Sequence, residues 1–372
     1  MRPLDGIVVL DFSTLLPGPL ATLLLAEAGA EVIKIERPGT GDEMRAYAPK
    51  LGRDSVNFAL LNRGKRSIAI DLKAPDAARR LGTLVRRADV LVEQFRPGVM
   101  ERLGLGYAQL KDINPRLVYC AITGHGASGP RAPDAGHDLN YLAETGMLML
   151  SAGADGAPVI PPALIADVGG GAYPAVINIL MALQRRAATG AGCRLDVSMS
   201  DNLFTFMYWA MGSGLAAGQW PRPGGELVTG GSPRYQIYRT ADDRFVAAAP
   251  LEQRFWDNFC AEIGLACDLR DDRHDPAATR AGIAMLIAAR PAAEWQRRFA
   301  GKDLCCSVAA TLEEAMRDPH FSARGIFAWG VAGEGGRIAA VPVPVAPAFR
   351  APPGDGAAPA LGEANALLDD AP

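Results

Sequence analysis

Gly6-Ile-Val-Val-Leu-Asp-Phe12 and Glu31-Val-Ile-Lys-Ile-Glu36 flank the segment from Pro17-Gly18-Pro19 to Ala28, and the reading of this stretch decides the fold. Each flanking run is short, apolar and rich in β-branched residues, as a strand covered on both faces has to be. A helix is expected over roughly Leu20 to Ala28, after the turn marked by the two prolines and the glycine between them. Strand, helix and strand in so short a span imply a parallel pair joined by a right-handed crossover. The pattern recurs with a strand at Ser67 to Leu72, a polar helix at about Pro75 to Arg87, a strand at Val90 to Glu93, a helical turn at Gly98 to Leu103 and a strand at Leu117 to Ile122. The first half of the chain therefore reads as α/β with a parallel sheet.

This half resembles a Rossmann-like sheet, but the turn after its first strand reads Ser13-Thr-Leu-Leu-Pro-Gly-Pro19. It is not GxGxxG, which disfavours a nicotinamide or flavin enzyme, and no GxxxxGK[ST] loop occurs for nucleotide hydrolysis. Further on, Asp167 and Gly169-Gly170-Gly171 open a long apolar helix from Ala172 to Leu183, and a strand follows at Arg194 to Ser198. Past a Gly- and Pro-rich linker at 222–232, Tyr235 to Ala247 reads as a hairpin turning at Asp242-Asp243. Helices are expected at Arg254 to Ile263, Ala277 to Ala289 and Ala292 to Ala300, so this part reads as a smaller α+β domain. The extended segments Pro342 to Pro347 and Ala351 to Gly356 suit a tail that packs back across an earlier domain.

Composition narrows the function classes. The 372 residues are 49% hydrophobic and 21% charged, with a mean hydropathy of +0.06, which excludes global disorder. A net charge of −3 argues against nucleic acid as a partner, while leaving room for a local basic pocket. Cys120, Cys193, Cys260, Cys267, Cys305 and Cys306 show no CxxC and no regular spacing. They fit neither a disulfide framework nor a zinc site, and they point to a reducing, cytoplasmic setting. Asp5 and Asp11 interrupt any leader-like run, and the uncharged stretch Asn202 to Pro221 is too polar and glycine-broken for a span, so no membrane partner is expected.

The residues able to carry chemistry are few. Of four histidines, His274 and His320 sit in charged or turn-rich loops and read as surface groups, and His125 lies in a turn between two glycines. His137 belongs to Gly136-His-Asp-Leu-Asn-Tyr141 at the start of a helix, where a structural role is as natural as a catalytic one. Asp167 follows the run Ala163-Leu-Ile-Ala166, expected as a strand, and stands beside the backbone N–H groups of a helix start. A plain cap explains it equally well. Three consecutive glycines there, each costing up to about 1 kcal/mol relative to alanine in a helix, call for the close approach of a ligand or another chain segment. Arg37, Arg63, Lys65, Arg66, Lys73, Arg96 and Arg102 follow strand ends, where α/β sheets hold phosphorylated ligands. They read either as one polyanion site or as solvated arginines on separate faces. Met147, Met149, Met207 and Met211 read as core or as the wall of an apolar pocket.

Arg37-Pro38, Asn62-Arg-Gly-Lys-Arg-Ser67 before Asp71-Leu-Lys73, and Glu93-Gln-Phe-Arg-Pro-Gly-Val99 with Glu101-Arg-Leu-Gly-Leu105 resemble the family III CoA-transferase superfamily over nearly the whole chain. Ala135-Gly-His-Asp-Leu-Asn-Tyr141, Asp167-Val-Gly-Gly-Gly171 and Pro250-Leu-Glu-Gln-Arg-Phe-Trp256 are similar to its 2-methylacyl-CoA racemase branch. The resemblance implies that His137 and Asp167 are acid/base catalysts on opposite faces of the acyl α-carbon, with Glu252 hydrogen-bonded to the imidazole. It implies a CoA site lined by Arg37, Ile70, Asp71, Leu72, Lys73, Gln94, Phe95, Arg96 and Arg102, and a thioester held by Gly136, Asp138, Leu139, Asn140 and Tyr141. It also implies an interlocked homodimer, with a Rossmann-like large domain from residues 1–198 and 328–372, a linker at 199–235 and a small α+β domain at 236–327. The substrate would be an acyl-CoA thioester, with no cofactor beyond its CoA moiety and no metal.

The residue types suit that chemistry, because inversion next to a thioester needs a base on one face and an acid on the other, matched in effective pKa. The enolate would draw on backbone N–H groups near Gly136-His137-Asp138. The main alternative is a CoA-transferase in which Asp167 attacks the thioester to form a mixed anhydride. A lesser one is an acyl-CoA binding protein without turnover.

Overall fold

The computed structural model describes residues 1–153 and 155–369. The last three residues of the segment expected to close the large domain, and Ala154, lie outside the described residues. The chain divides into two units, one of Met1–Thr145, Pro161–Phe206 and Ser322–Pro372, the other of Gly146–Ile160 and Met207–Phe321. The second unit takes in 146–160, which the sequence reading leaves within the first domain.

In the first unit, β1 (Val8–Asp11), β2 (Glu31–Glu36), β3 (Arg66–Ala69), β4 (Val90–Glu93), β5 (Val118–Thr123) and β6 (Cys193–Ser198) make one sheet. Every neighbouring pair is parallel, and the order is β3-β2-β1-β4-β5-β6. The fold is therefore α/β with a large parallel sheet. Between β1 and β4 the order reverses, so the loops leaving their carboxyl ends run apart and leave a crevice. Helices α1 (Pro17–Glu27), α2 (Ala77–Arg87), α3 (Asp138–Glu144), α4 (Tyr173–Thr189) and α5 (Met199–Leu203) belong to this unit. Leu10, Ile33, Ile68 and Leu91 of the sheet pack with Leu81, Leu84 and Val85 of α2, all fully buried or nearly so. Each such side chain contributes about 1.5–3 kcal/mol of hydrophobic stabilisation.

Two boundaries depart from expectation for local reasons. Helix α1 starts at Pro17 and not at Leu20, because a first-turn proline lacks only an N–H that has no partner within the helix. Strand β3 stops at Ala69 and not at Leu72, because Asp71 closes a turn by accepting from the Lys73 N–H at 2.9 Å.

The tail rejoins this unit. Gly330–Gly333 pairs with Gly336–Ala339 and, in parallel, with Asp355–Ala357, while Asn365 Oδ1 accepts the edge N–H of Ala69 at 2.8 Å. In the second unit, Gln236–Arg239, Phe245–Ala248 and Cys306–Val308 form an antiparallel sheet whose hairpin turns at Asp242-Asp243, with Asp243 at φ 58°. Helices Gln253–Ile263, Pro276–Ala288 and Ala292–Phe299 pack Trp256, Phe259, Ile283, Ile287 and Trp295 over it.

Among the described residues, one helical stretch, Ala166–Thr189, is long and apolar enough to cross a bilayer by length and composition. Its Ala175, Ile179 and Ala182 are buried, and Ile177, Leu180 and Met181 are exposed. All six cysteines are free thiols.

Buried charges knit the carboxyl edge of the sheet. Lys65 Nζ, without exposed surface, donates to Asp11 (3.1 Å), Thr22 Oγ1 (2.8 Å), Asn62 Oδ1 (2.8 Å) and the Pro19 carbonyl (2.9 Å). Burial pushes its ammonium down to about 8, against the pull of Asp11. Lys34 Nζ meets Asp42 at 2.9 Å and the Ser13 carbonyl at 2.7 Å, and Arg45 meets Glu36 at 2.7 Å. Replacing Lys65 by methionine strands Asp11 in the core. The expected loss is about 3–5 kcal/mol in urea unfolding, and a loss below about 1 kcal/mol would contradict this account of the edge.

Candidate active site

The crevice beside β1 and β4 holds a cavity of about 370 Å³, lined by Leu15 and Pro17 after β1, Gln94 to Pro97 after β4, Ile122 to Gly124 at the end of β5, and Gly136, His137, Asn140, Tyr141, Asp167 and Met199. Gln94 clips the first two loops together. Its Nε2 donates to the Thr14 carbonyl at 2.6 Å, and its Oε1 accepts the Gly18 N–H at 3.2 Å. A helix-start amide that a dinucleotide fold would offer to a pyrophosphate is thus taken by a side chain, in keeping with the missing fingerprint. Glu93, just before it, accepts the Phe95 N–H at 2.7 Å, and burial pushes its carboxyl up to about 7.

His137 stands at the start of α3, with its N–H bound by Asn140 Oδ1 at 3.0 Å. Tyr141, one turn on, donates its hydroxyl to the Gly136 carbonyl at 2.6 Å, and burial among nearby carboxylates pushes the phenol up to about 12. Gly124 and Gly136 make room for that ring, since a Cβ on either would lie 2.5–2.6 Å from Tyr141. His125 does not line the cavity. Its ring packs edge-on against Tyr141, and its Nε2 lies 2.7 Å from Glu144.

Asp167 sits in a wide π-helical turn, Ala166–Ala172, that runs into α4. The strand expected at Ala163 to Ala166 does not form. Prolines 161 and 162 remove ladder donors, and β5 already has β4 and β6 on its two edges. The three glycines meet chain and not ligand. A Cβ on Gly169 would lie 2.7 Å from the Phe206 ring, on Gly170 2.4 Å from the Met199 carbonyl oxygen, and on Gly171 3.0 Å from Met199 Cγ. Burial first, and the Asp138 carboxylate second, push the Asp167 carboxyl up to about 6, while His137 pulls it back. The site thus places on one cavity an imidazole and a carboxyl pushed up toward neutrality, which is an arrangement able to exchange protons with a bound carbon acid.

A second cavity, of about 220 Å³, shares Phe95 with the first and is lined by Arg37, Ile70, Asp71, Leu72 and Lys73, with Val99 and Leu103. Arg37, Lys73 and Arg96 are exposed cations beside these two cavities. The other members of the basic cluster serve elsewhere. Lys65 is buried on Asp11, Arg63 pairs with Glu27 at 2.8 Å and Arg66 with Glu31 at 2.8 Å, so a single site of all seven does not form. Arg102 and Leu139 are exposed and line neither cavity, and Asp138 is buried. Glu252 is exposed in the second unit, directly before the helix Gln253–Ile263. Met147, Met149, Met207 and Met211 also lie in the second unit, and Met207 is buried there. Leu15, Thr123 and Met199 are wall residues the sequence reading passes over, and only the turn at Pro17-Gly18-Pro19 signals that region. Among the described residues no three His, Cys, Asp or Glu side chains gather as metal ligands.

Comparison with known proteins adds a family. Residues 4–365 match the model of CoA-transferase family III. The chain is similar to alpha-methylacyl-CoA racemase of Homo sapiens, with 36% identity over 331 residues covering 87% of this chain and 82% of that protein. It is also similar to acetyl-CoA:oxalate CoA-transferase of Acetobacter aceti, with 37% identity over 302 residues and coverage of 79% and 77%. A crystal structure of a CAIB/BAIF family protein from Brucella suis superposes with a TM-score of 0.84 at 28% identity, covering 99% of this chain and 98% of that one.

The packing of the glycine turn is testable without any substrate. Gly170→Ala is expected to cost about 1–3 kcal/mol in urea unfolding, since a backbone carbonyl blocks the methyl group. Gly82→Ala in α2, where an added Cβ meets nothing within 4 Å, is expected to gain about 0.5–1 kcal/mol. Equal midpoints for the two variants would contradict this packing.

Proposed function

Because the chain belongs to CoA-transferase family III, we propose that it inverts the α-carbon of 2-methylacyl-CoA thioesters, one of His137 and Asp167 removing the α-proton and the other supplying a proton to the opposite face. The observation that carries this reading is that both side chains line one cavity, with the Asp167 carboxyl pushed up to about 6. A carboxyl in that range can both take and return a proton near neutral pH, as reversible transfer in both directions requires. One group takes the α-proton, the thioester becomes an enolate, and the other group returns a proton to the opposite face. The enolate oxygen is assigned to the backbone N–H groups near Gly136-His137-Asp138, of which that of His137 is taken by Asn140 and Gly136 lines the cavity. Arg37 and Lys73 are assigned to the CoA phosphates, with Phe95 between the nucleotide and thioester ends. The role the resemblance implies for Glu252, holding the imidazole, belongs to the same proposal. So does the homodimer, which the exposed apolar face of Ile177, Leu180 and Met181 supports.

The second reading is CoA transfer, favoured by 37% identity to an oxalate transferase and by the carboxyl of Asp167, which would serve as its nucleophile. The two are separated by incubating the protein with one enantiomer of a 2-methylacyl-CoA, with and without oxalate or glutarate. The proposal expects the other enantiomer to accumulate to near equality, with no acyl-free carboxylate gaining CoA. Passage of CoA to the acceptor with retention of configuration would overturn it in favour of transfer.

A further inference from the structure

We infer that Asp138 is a positioning residue that ties the turn carrying Asp167 to the helix beginning at His137, and so sets where the two reacting groups face the cavity. The inference deepens the reading above and rests on it. Asp138 is the first residue of α3 and is almost fully buried, at 5% exposure. Its Oδ1 accepts the N–H of Ala166 at 2.6 Å and of Asp167 at 3.1 Å, groups 28 and 29 residues further along the chain. Those N–H groups open the π-helical turn, where a helix has no partner of its own to offer them. Without Asp138 the donor of fully buried Ala166 loses its acceptor, and the turn loses its bond to α3. The side chain lines neither cavity, so it acts through Asp167 and not on a substrate.

Asp138 also places a negative charge beside Asp167. The titratable groups beside Asp167 from α3 are His137, Asp138 and Tyr141, and the first turn of α5 carries Asp201, which is exposed. The turns of α1 and α4 nearest the π-turn carry no charge, and Asp196 of β6 is bound to the Ala127 N–H at 3.0 Å. Of these groups, Asp138 raises the Asp167 carboxyl and His137 lowers it.

Two variants separate tether from charge. Asp138→Ala removes both, whereas Asp138→Asn keeps an oxygen acceptor and removes the charge. The measurement is α-proton exchange of a 2-methylacyl-CoA, with kcat, KM and the pH profile taken for each full-length protein. In Asp138→Ala, kcat is expected to fall about 10²-fold, with KM within about twofold of the wild type, as for a displaced reacting group with an intact binding site. In Asp138→Asn, the acid limb of kcat in the direction that uses the Asp167 carboxylate as base moves to lower pH by about half a unit or more, since removing a like charge lowers the carboxyl's pKa.

A kcat within about threefold of wild type in Asp138→Ala, or an unmoved limb in Asp138→Asn, overturns the inference. If the alanine variant does not fold, the asparagine variant decides. A wild-type protein that exchanges no α-proton brings down the racemase reading instead, and the same two variants then test Asp138 through CoA transfer.

Discussion

A charge buried at the carboxyl edge of a parallel sheet has to be satisfied where it stands, and this protein is organised around that constraint. Asp11 and Glu36 end strands β1 and β2 inside the core. Each carboxylate is met by a buried cation from a loop, Lys65 for the first and Arg45 for the second. Lys34, inside β2, reaches across to Ser13 and Asp42 in the same way. Such pairs add little net stability over apolar residues of the same shape, but losing one partner is costly, so they fix which loop lies where. The loops they fix are those that end at the two cavities.

The same device recurs around His137 and Asp167. Glu93 holds the loop of Gln94 to Arg96 through the Phe95 N–H, and Asp138 holds the turn of Asp167. Crowding completes the arrangement. The glycines at 169–171 allow Met199 and Phe206 to pack directly on that turn, and those at 124 and 136 allow Tyr141 to lie against the wall behind His137. A carboxyl kept from water by such packing, with a second carboxylate beside it, titrates near neutrality by ordinary electrostatics.

How far the sequence carries depends on the kind of signal. Strands β1, β2 and β4 were legible because continuous apolar runs in a parallel sheet have few other uses, and Val90–Glu93 and Glu31–Glu36 are found with the boundaries read from the pattern. The run Ala163 to Ala166 misled for the same reason, since periodicity alone does not say whether an apolar stretch has a free strand edge to pair with. Of the residues singled out by their motifs, His137 and Asp167 lie on one cavity. The basic cluster was not legible. Lys65 and Arg63 look the same in sequence as Arg37 and Lys73, and only the carboxylates brought near them in three dimensions tell a core ion pair from a cation free for a phosphate. The glycine triplet pointed to a close approach, while its partner, Met199, comes from thirty residues away.

The account rests on two acid/base groups acting from opposite faces of one carbon. The most direct test follows the α-proton of each enantiomer of a 2-methylacyl-CoA in D₂O by ¹H NMR, with His137→Ala and Asp167→Ala proteins. The account predicts that each variant washes the proton out of one enantiomer only, the opposite one in the two variants, and that neither inverts the centre. Loss of exchange from both enantiomers in one variant, with none lost in the other, would contradict a two-base site.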